Sequence, residues 1–219
     1  MSQLYSLKYS AAKYDGDPLT QISPASQLTR LEVTTHPEHP LQLAALSSLA
    51  ALRCCCIEYD GCEYGDSFRL HAAQLSWMTQ LTELRLELTT QFAQLEWADV
   101  AAVAAAGHWS GLRSLKLAND EWKLGEGPLP LARLDHLTRL MVEGPSLFNG
   151  MPHDCFHNVM RSWRLPALAV LEVHTMWNAA DGGPDSDGEA RWRPPLARMM
   201  KQGVVAPGLV SIKYPYTVY

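Results

Sequence analysis

A chain of 219 residues is long enough for one domain with a sizeable core, or for one run of stacked repeats. Its apolar fraction of 47% and charged fraction of 19% are those of an ordinary folded protein and exclude a disordered chain. The formal net charge of −5 argues against nucleic acid and membrane surfaces as partners, because both attract basic proteins.

The sequence favours a cytoplasmic or other intracellular location. No apolar run is long enough for a secretory signal or a membrane span, and no N-glycosylation sequon occurs. The five cysteines are odd in number and three of them are consecutive, which suits neither a disulfide framework nor a zinc site. We expect reduced thiols, with Cys54 acting as a small apolar residue of the core.

One strand motif recurs along the chain: an apolar residue, two variable residues, an apolar residue, one variable residue and an apolar residue. Its copies begin at Leu4, Leu28, Leu49, Leu81, Leu112, Leu137, Leu168 and Leu209. The last two apolar positions are two residues apart, so they lie on one side of an extended strand. Copies stacked side by side would pair in a parallel sheet and bury their leucines in one core.

The segments between the strand motifs predict the returning side of each unit. Apolar residues often precede the motif by three positions: Leu46, Met78, Trp109, Leu134 and Leu165. The periodicity predicts helices over 96–106, 153–163 and 195–201. Two polar segments, 59–68 and 178–195, interrupt the stack, and we expect the second, rich in Gly, Pro and Asp, to be a flexible insertion.

The strand motifs resemble those of the leucine-rich-repeat family, and the longer units look like its ribonuclease-inhibitor-like class. The resemblance covers Leu4 to Tyr214 and implies an α/β fold in a single domain over 1–219, with about eight strand units. It further implies a right-handed solenoid of horseshoe shape, with a parallel sheet on the concave face and helices and irregular coils on the convex face. The family usually has Asn, Cys or Thr three residues after the motif. Most copies here lack one, so we expect irregular turns.

The ends of the stack also matter, because uncapped repeats expose core leucines and edge strands. No amphipathic helix precedes the motif at Leu4, and the last motif ends five residues before the terminus. We expect either a piece of a longer polypeptide or ends that partners cover, and end-to-end self-association is a further alternative.

No pattern in the chain predicts a catalytic residue, a metal site or a cofactor. His153, Cys155 and His157 are crowded together, but residues two apart on a helix point in different directions and cannot converge on one ion. The acidic stretch 181–189 lacks two main ligands of a calcium loop. An enzyme that uses the histidines and cysteine of the 153–157 cluster remains a third hypothesis.

The concave face is the predicted binding surface. The central variable residues of three consecutive motifs, Arg53, Arg85 and Lys116, would form a basic band there. The other predicted contact residues are Arg30, Arg139, Glu83, Glu87, Glu143 and Glu172. We therefore expect a non-catalytic module that binds another protein. One alternative is a substrate-recruiting subunit of a ubiquitin ligase, of the type that carries an F-box, with the F-box outside this chain. Another is a solvated face of mixed charge.

Overall fold

The computed structural model describes residues 4–10, 27–35, 43–59, 68–88, 93–119, 131, 133–143, 165–174 and 211–213. The strands within these residues are β1 (Ser6–Ser10), β2 (Arg30–Thr35), β3 (Cys54–Tyr59), β4 (Phe68–Leu70), β5 (Glu83–Leu88), β6 (Ala93–Leu95), β7 (Ser114–Asn119), β8 (Arg139–Glu143), β9 (Val170–His174) and β10 (Ser211–Lys213). Eight of these described strands form one parallel sheet in the order β1-β2-β3-β5-β7-β8-β9-β10. The predicted α/β fold with a parallel sheet is confirmed.

The described returns between the main strands contain short elements. A 3-10 helix spans Leu43–Ser48, α1 spans Ala72–Leu75 and α2 spans Trp97–Ala105. Strands β4 and β6 pair in parallel as a separate two-stranded sheet. The helix predicted over 96–106 is confirmed as α2. Within the described residues, no helix is long and apolar enough to cross a membrane.

Helix α2 ends at a glycine in the left-handed region. Gly107 has a φ of 81°, a conformation that a Cβ atom disfavours. Its N–H donates to the carbonyl of Ala104, and the N–H of His108 donates to the carbonyl of Val103. These two bonds satisfy carbonyl groups that the end of the helix would otherwise leave unpaired.

The core lies on one face of the main sheet. Because side chains alternate along a strand, every second residue points to this face. Two rows of these residues are buried, namely Leu31, Cys55, Leu84, Leu115, Leu140 and Leu171, and Val33, Ile57, Leu86, Leu117 and Val142. The returns add a further set, namely Leu43, Leu46, Leu49, Leu75, Met78, Trp109, Leu131, Leu134 and Leu165. The leucines of the strand motif and those of the returns therefore share one core.

The third strand motif starts three residues later than the sequence predicts. The register pairs Leu31 with Cys55 and Cys55 with Leu84, so the motif begins at Leu52 and not at Leu49. Leu49 belongs to the return, where its buried side chain continues the three-residue spacing. Leu49 and Leu52 are three residues apart, as are the first two apolar positions of the motif. Either leucine can therefore be taken as the first residue of the motif.

This shift corrects two further expectations. The core thiol is Cys55, which is 1% exposed, whereas Cys54 is only partly buried and points to the other face. The segment 59–68 is not a loop throughout, because Tyr59 ends β3 as a fully buried core residue and Phe68 begins β4. The predicted helices 153–163 and 195–201 and the insertion 178–195 lie outside the described residues.

Candidate interaction face of the main sheet

We call the face of the main sheet opposite the core the open face. On the described strands β1 to β9, its charged side chains are Lys8, Arg30, Arg85, Lys116 and Arg139, and Glu32, Glu58, Glu83, Glu87, Glu143 and Glu172. Five basic groups thus stand beside six acidic groups. The described part of the open face is nearly balanced in charge and is not a basic surface.

A glutamate on β2 gathers two basic side chains at the β1 edge of the sheet. The Arg30 guanidinium donates through Nε and Nη2 to Glu32 Oε1 at 3.0 and 2.9 Å. Lys8 Nζ lies 3.4 Å from Glu32 Oε2 across the β1–β2 pair. The hydrogen bond from Arg30 is the main reason why the pKa of Glu32 lies below its ordinary value. The Glu32 carboxylate therefore remains ionised at neutral pH.

Lys116 occupies the middle of the sheet between two acidic residues. Its Nζ lies 2.8 Å from Glu87 Oε2 on β5 and 3.5 Å from Glu143 Oε2 on β8. The lysine and Glu87 side chains are 17% and 19% exposed, so water screens this pair less than a surface pair. The predicted contact residues Lys116, Glu87 and Glu143 therefore form one connected group that bridges three strands.

A second bridge joins β8 to β9. Arg139 Nη2 donates to Glu172 Oε1 at 2.9 Å. The Glu172 side chain is only 4% exposed, although it belongs to the open face. A buried carboxylate is costly without a charged or hydrogen-bonded partner, and the guanidinium provides one from its own exposed position.

Arg53 does not belong to the open-face row in which the sequence places it. The register puts Cys56, and not Arg53, beside Arg85. Arg53 precedes β3, and its Nη1 donates to the carbonyls of Ala50 and Leu52 at 2.9 Å each. The predicted basic band of three strands is therefore wrong, because its first member holds the turn before β3 and its third is neutralised by glutamates.

Arg85 remains as a basic group on the open face. Within the described part of the chain, no carboxylate oxygen lies within 4.0 Å of its guanidinium, so Arg85 forms no ion pair with Glu83 or Glu87 on its own strand. Glu87 binds Lys116 instead, and Glu83 lies beside Cys54 of β3 in the register. The guanidinium of Arg85 is half-buried and can meet an acceptor from outside the chain.

The two thiols on the open face are poor nucleophiles. Burial raises the pKa of Cys54, and burial together with the charge of Glu87 raises the pKa of Cys56 to about 11. Both are therefore protonated at neutral pH, and the thiolate is the reactive form. The described residues also contain no group of three His, Cys, Asp or Glu side chains that could hold a metal ion. The cluster around His153 lies outside the described residues.

A row of threonines at the strand entrances was not predicted. The hydroxyls of Thr29, Thr82 and Thr138 donate to the backbone carbonyls of Tyr5, Arg53 and Arg113, at 2.9, 3.2 and 2.9 Å. Each threonine directly follows the first leucine of its strand motif, so the recurring Leu-Thr pair was the available signal. These bonds connect successive strands where the chain enters the sheet.

Comparison with protein-family models finds no match for this chain, and comparison with curated proteins finds no significant similarity.

Proposed function

We propose that this chain is a non-catalytic, protein-binding module of the leucine-rich-repeat type. In this proposal the sheet is the inner wall of a right-handed solenoid, and the open face is its concave contact surface. The observation that supports it most is the sheet itself: its strands follow one another in chain order, its opposite face is packed with leucine, and its open face carries partly exposed charged groups. Repeat proteins of this architecture bind partners along such extended faces.

The chemistry of the open face favours a protein as the partner. Nucleic acid would require an excess of basic groups, and the described residues carry nearly equal numbers of both signs. The ion pair of Lys8 with Glu32 is largely exposed, and such pairs contribute only about 0–1 kcal/mol, so a partner's charged side chains can replace them. A folded protein surface offers the required mixture of carboxylates, amines and apolar groups.

We expect the Arg85 side chain to contribute more to the affinity for the partner than any other described residue. Its five N–H donors meet no carboxylate within the described residues, and the half-buried position reduces competition from water. Arginine is also enriched among the residues that dominate protein interfaces. A carboxylate or backbone carbonyl of the partner would therefore bind here with little rearrangement of the sheet.

The test compares two charge reversals on the same chain. Affinity purification from the native cell identifies binding proteins, and isothermal titration calorimetry with each purified partner then gives its Kd. We expect Arg85→Glu to weaken binding at least about ten-fold, the loss typical of an interface residue that dominates affinity. The matched control is Arg113→Glu, because Arg113 is exposed and precedes β7 at a strand entrance. Equal affinities for Arg85→Glu and the unmodified chain, with every purified partner, would contradict the proposal.

A further inference from the structure

The residues of β1 and just before it leave apolar side chains exposed, and Leu4 and Leu7 among them occupy core positions. Leu4 is 49% exposed and Tyr5 52% exposed, and they are the exposed large apolar side chains among the described residues. Leu4 is the first leucine of its strand motif, yet the equivalent Leu28 is 0% exposed. Leu7 on β1 is likewise only half-buried against the core, whereas its register partner Leu31 is 0% exposed. The apolar layer thus continues to this edge, and no strand among the described residues lies beyond it.

The backbone of β1 directs hydrogen-bonding groups to the same edge. In the main sheet from β2 to β9, the first residue of each strand donates its N–H to the carbonyl of the residue just before the neighbouring strand, as Cys54 does to Thr29 and Glu83 to Arg53. Since alternate residues of a parallel strand face opposite neighbours, the N–H and C=O groups of the β1 residues at positions 6, 8 and 10 point away from β2. No described strand pairs with this side of β1.

The charge of Lys8 on the open face indicates which residue would fit beside β1. The Lys8 side chain is 78% exposed, and its one described ionic contact is Glu32 on the β2 side. An acidic residue at the same register on the other side would give Lys8 a second contact. A second copy of this chain fits poorly, because head-to-tail stacking would put β10 beside β1. The register places Lys213 in the row of Lys8, so two lysines would be neighbours.

We propose that the outer edge of β1 binds an extended segment of another protein, added as a parallel strand, with an apolar residue, an acidic residue and an apolar residue in succession. The acidic residue lies beside Lys8. The two apolar residues cover Leu7 and Tyr9 and complete the core layer. Backbone hydrogen bonds to β1 provide affinity, and the alternating side chains provide selectivity. This edge is separate from the Arg85 region, so either proposal can fail alone.

The probe is an eight-residue peptide with the chain's own β2 sequence, LTRLEVTT, because β2 already shows the required pattern next to Lys8. Its affinity for the full chain is measured by fluorescence anisotropy against the matched peptide LTRLKVTT. We expect the glutamate peptide to bind roughly five-fold more tightly, the effect of exchanging an attractive for a repulsive cross-strand pair. On the variant Lys8→Glu we expect the preference to reverse. This variant should fold, since the side chain it replaces is largely exposed.

N-methylated peptides test the strand geometry without changing the protein. The peptide would lie against β1 as β2 lies against β3, so its leucine and valine beside the glutamate direct their N–H groups towards β1, and the glutamate directs its own away. Methylation at the flanking residues should abolish binding, and methylation at the glutamate should preserve it. The proposal is overturned if both methylated peptides bind alike, or if the lysine peptide binds as tightly as the glutamate peptide. Head-to-tail oligomers of the unmodified chain in sedimentation velocity would also overturn it.

Discussion

Three consecutive thiols allow the register of the sheet to be tested with almost identical substitutions. Cys54 and Cys56 lie on the open face, while Cys55 points into the core between Leu31 and Leu84. Serine has nearly the shape of cysteine but carries a hydroxyl that must be hydrogen-bonded. We expect Cys55→Ser to destabilise the fold and Cys54→Ser to leave its stability nearly unchanged.

The size of the effect follows from the surroundings of each thiol. Cys55 is 1% exposed, and the leucines beside it in the sheet are both 0% exposed. A hydroxyl placed among these side chains is desolvated without a partner, which costs about 1–3 kcal/mol of unfolding free energy. For a domain of this size the Tm would fall by about 2–4 °C for each kcal/mol. Cys54 is partly exposed, so its serine variant should stay within about 0.5 kcal/mol of the unmodified chain.

Urea unfolding monitored by circular dichroism measures both variants under reducing conditions. A second readout is the rate at which a disulfide reagent labels single-cysteine variants of the native chain. We expect the buried Cys55 to react most slowly of the three. The reasoning is refuted if Cys54→Ser destabilises the chain as much as Cys55→Ser, because the motif would then begin at Leu49 as the sequence alone predicts.

Three further predictions concern pH, the strand entrances and a helix end. The pKa of Cys56 is raised from 9.0 to about 11, so the unfolded chain loses its proton first and stability falls as the pH rises through this window. Cys56→Ser should reduce that fall in urea unfolding at pH 9 and pH 11, by less than about 1.4 kcal/mol per pH unit because the thiol is partly exposed. Thr82→Val removes the hydroxyl bond to the Arg53 carbonyl and should lower the free energy of unfolding by about 0.5–1.5 kcal/mol in the same assay. The control Thr79→Val should leave it unchanged, since Thr79 is exposed and its hydroxyl donates to the adjacent Gln80. Gly107→Ala should lower the free energy of unfolding by about 1 kcal/mol through backbone strain, because the added Cβ meets nothing closer than 3.7 Å, and Gly107→Asn should cost less.

The sequence was sufficient for most strands of the main sheet and for the core, because leucine spacing determines both, whereas β4 and β6 match no strand motif. The paired apolar positions of β2, such as Leu31 and Val33, predict which face is buried without knowledge of the neighbouring strands. The third motif failed for a specific reason. Leu49 and Leu52 each fit a three-residue spacing, and only the register with β2 and β5 shows that Cys55 takes the place of a leucine.

The ionic contacts of the open face could not be predicted in the same way. Residues on one strand can be read from the sequence, and Glu83 and Glu87 share a strand face with Arg85. Apart from Arg30 with Glu32 on β2, the described ionic contacts of this face run between strands, such as Lys116 with Glu143. These depend on the exact register across returns of different lengths, and on the direction that each long side chain takes.

The strand entrances of this sheet alternate between two kinds of residue. Among the described residues, the carbonyls of Tyr5, Arg53 and Arg113 each accept three donors, namely two backbone N–H groups and a threonine hydroxyl. Those of Thr29 and Thr82 accept two N–H groups and no hydroxyl within the same part of the chain. At the described entrances, the smallest group that repeats is therefore a pair of consecutive strands. Removing or inserting one unit would place two entrances of the same kind side by side, either two with a threonine hydroxyl bond or two without one. Removing or inserting two consecutive units would preserve the alternation. Engineered versions of this chain should be lengthened or shortened by two units at a time.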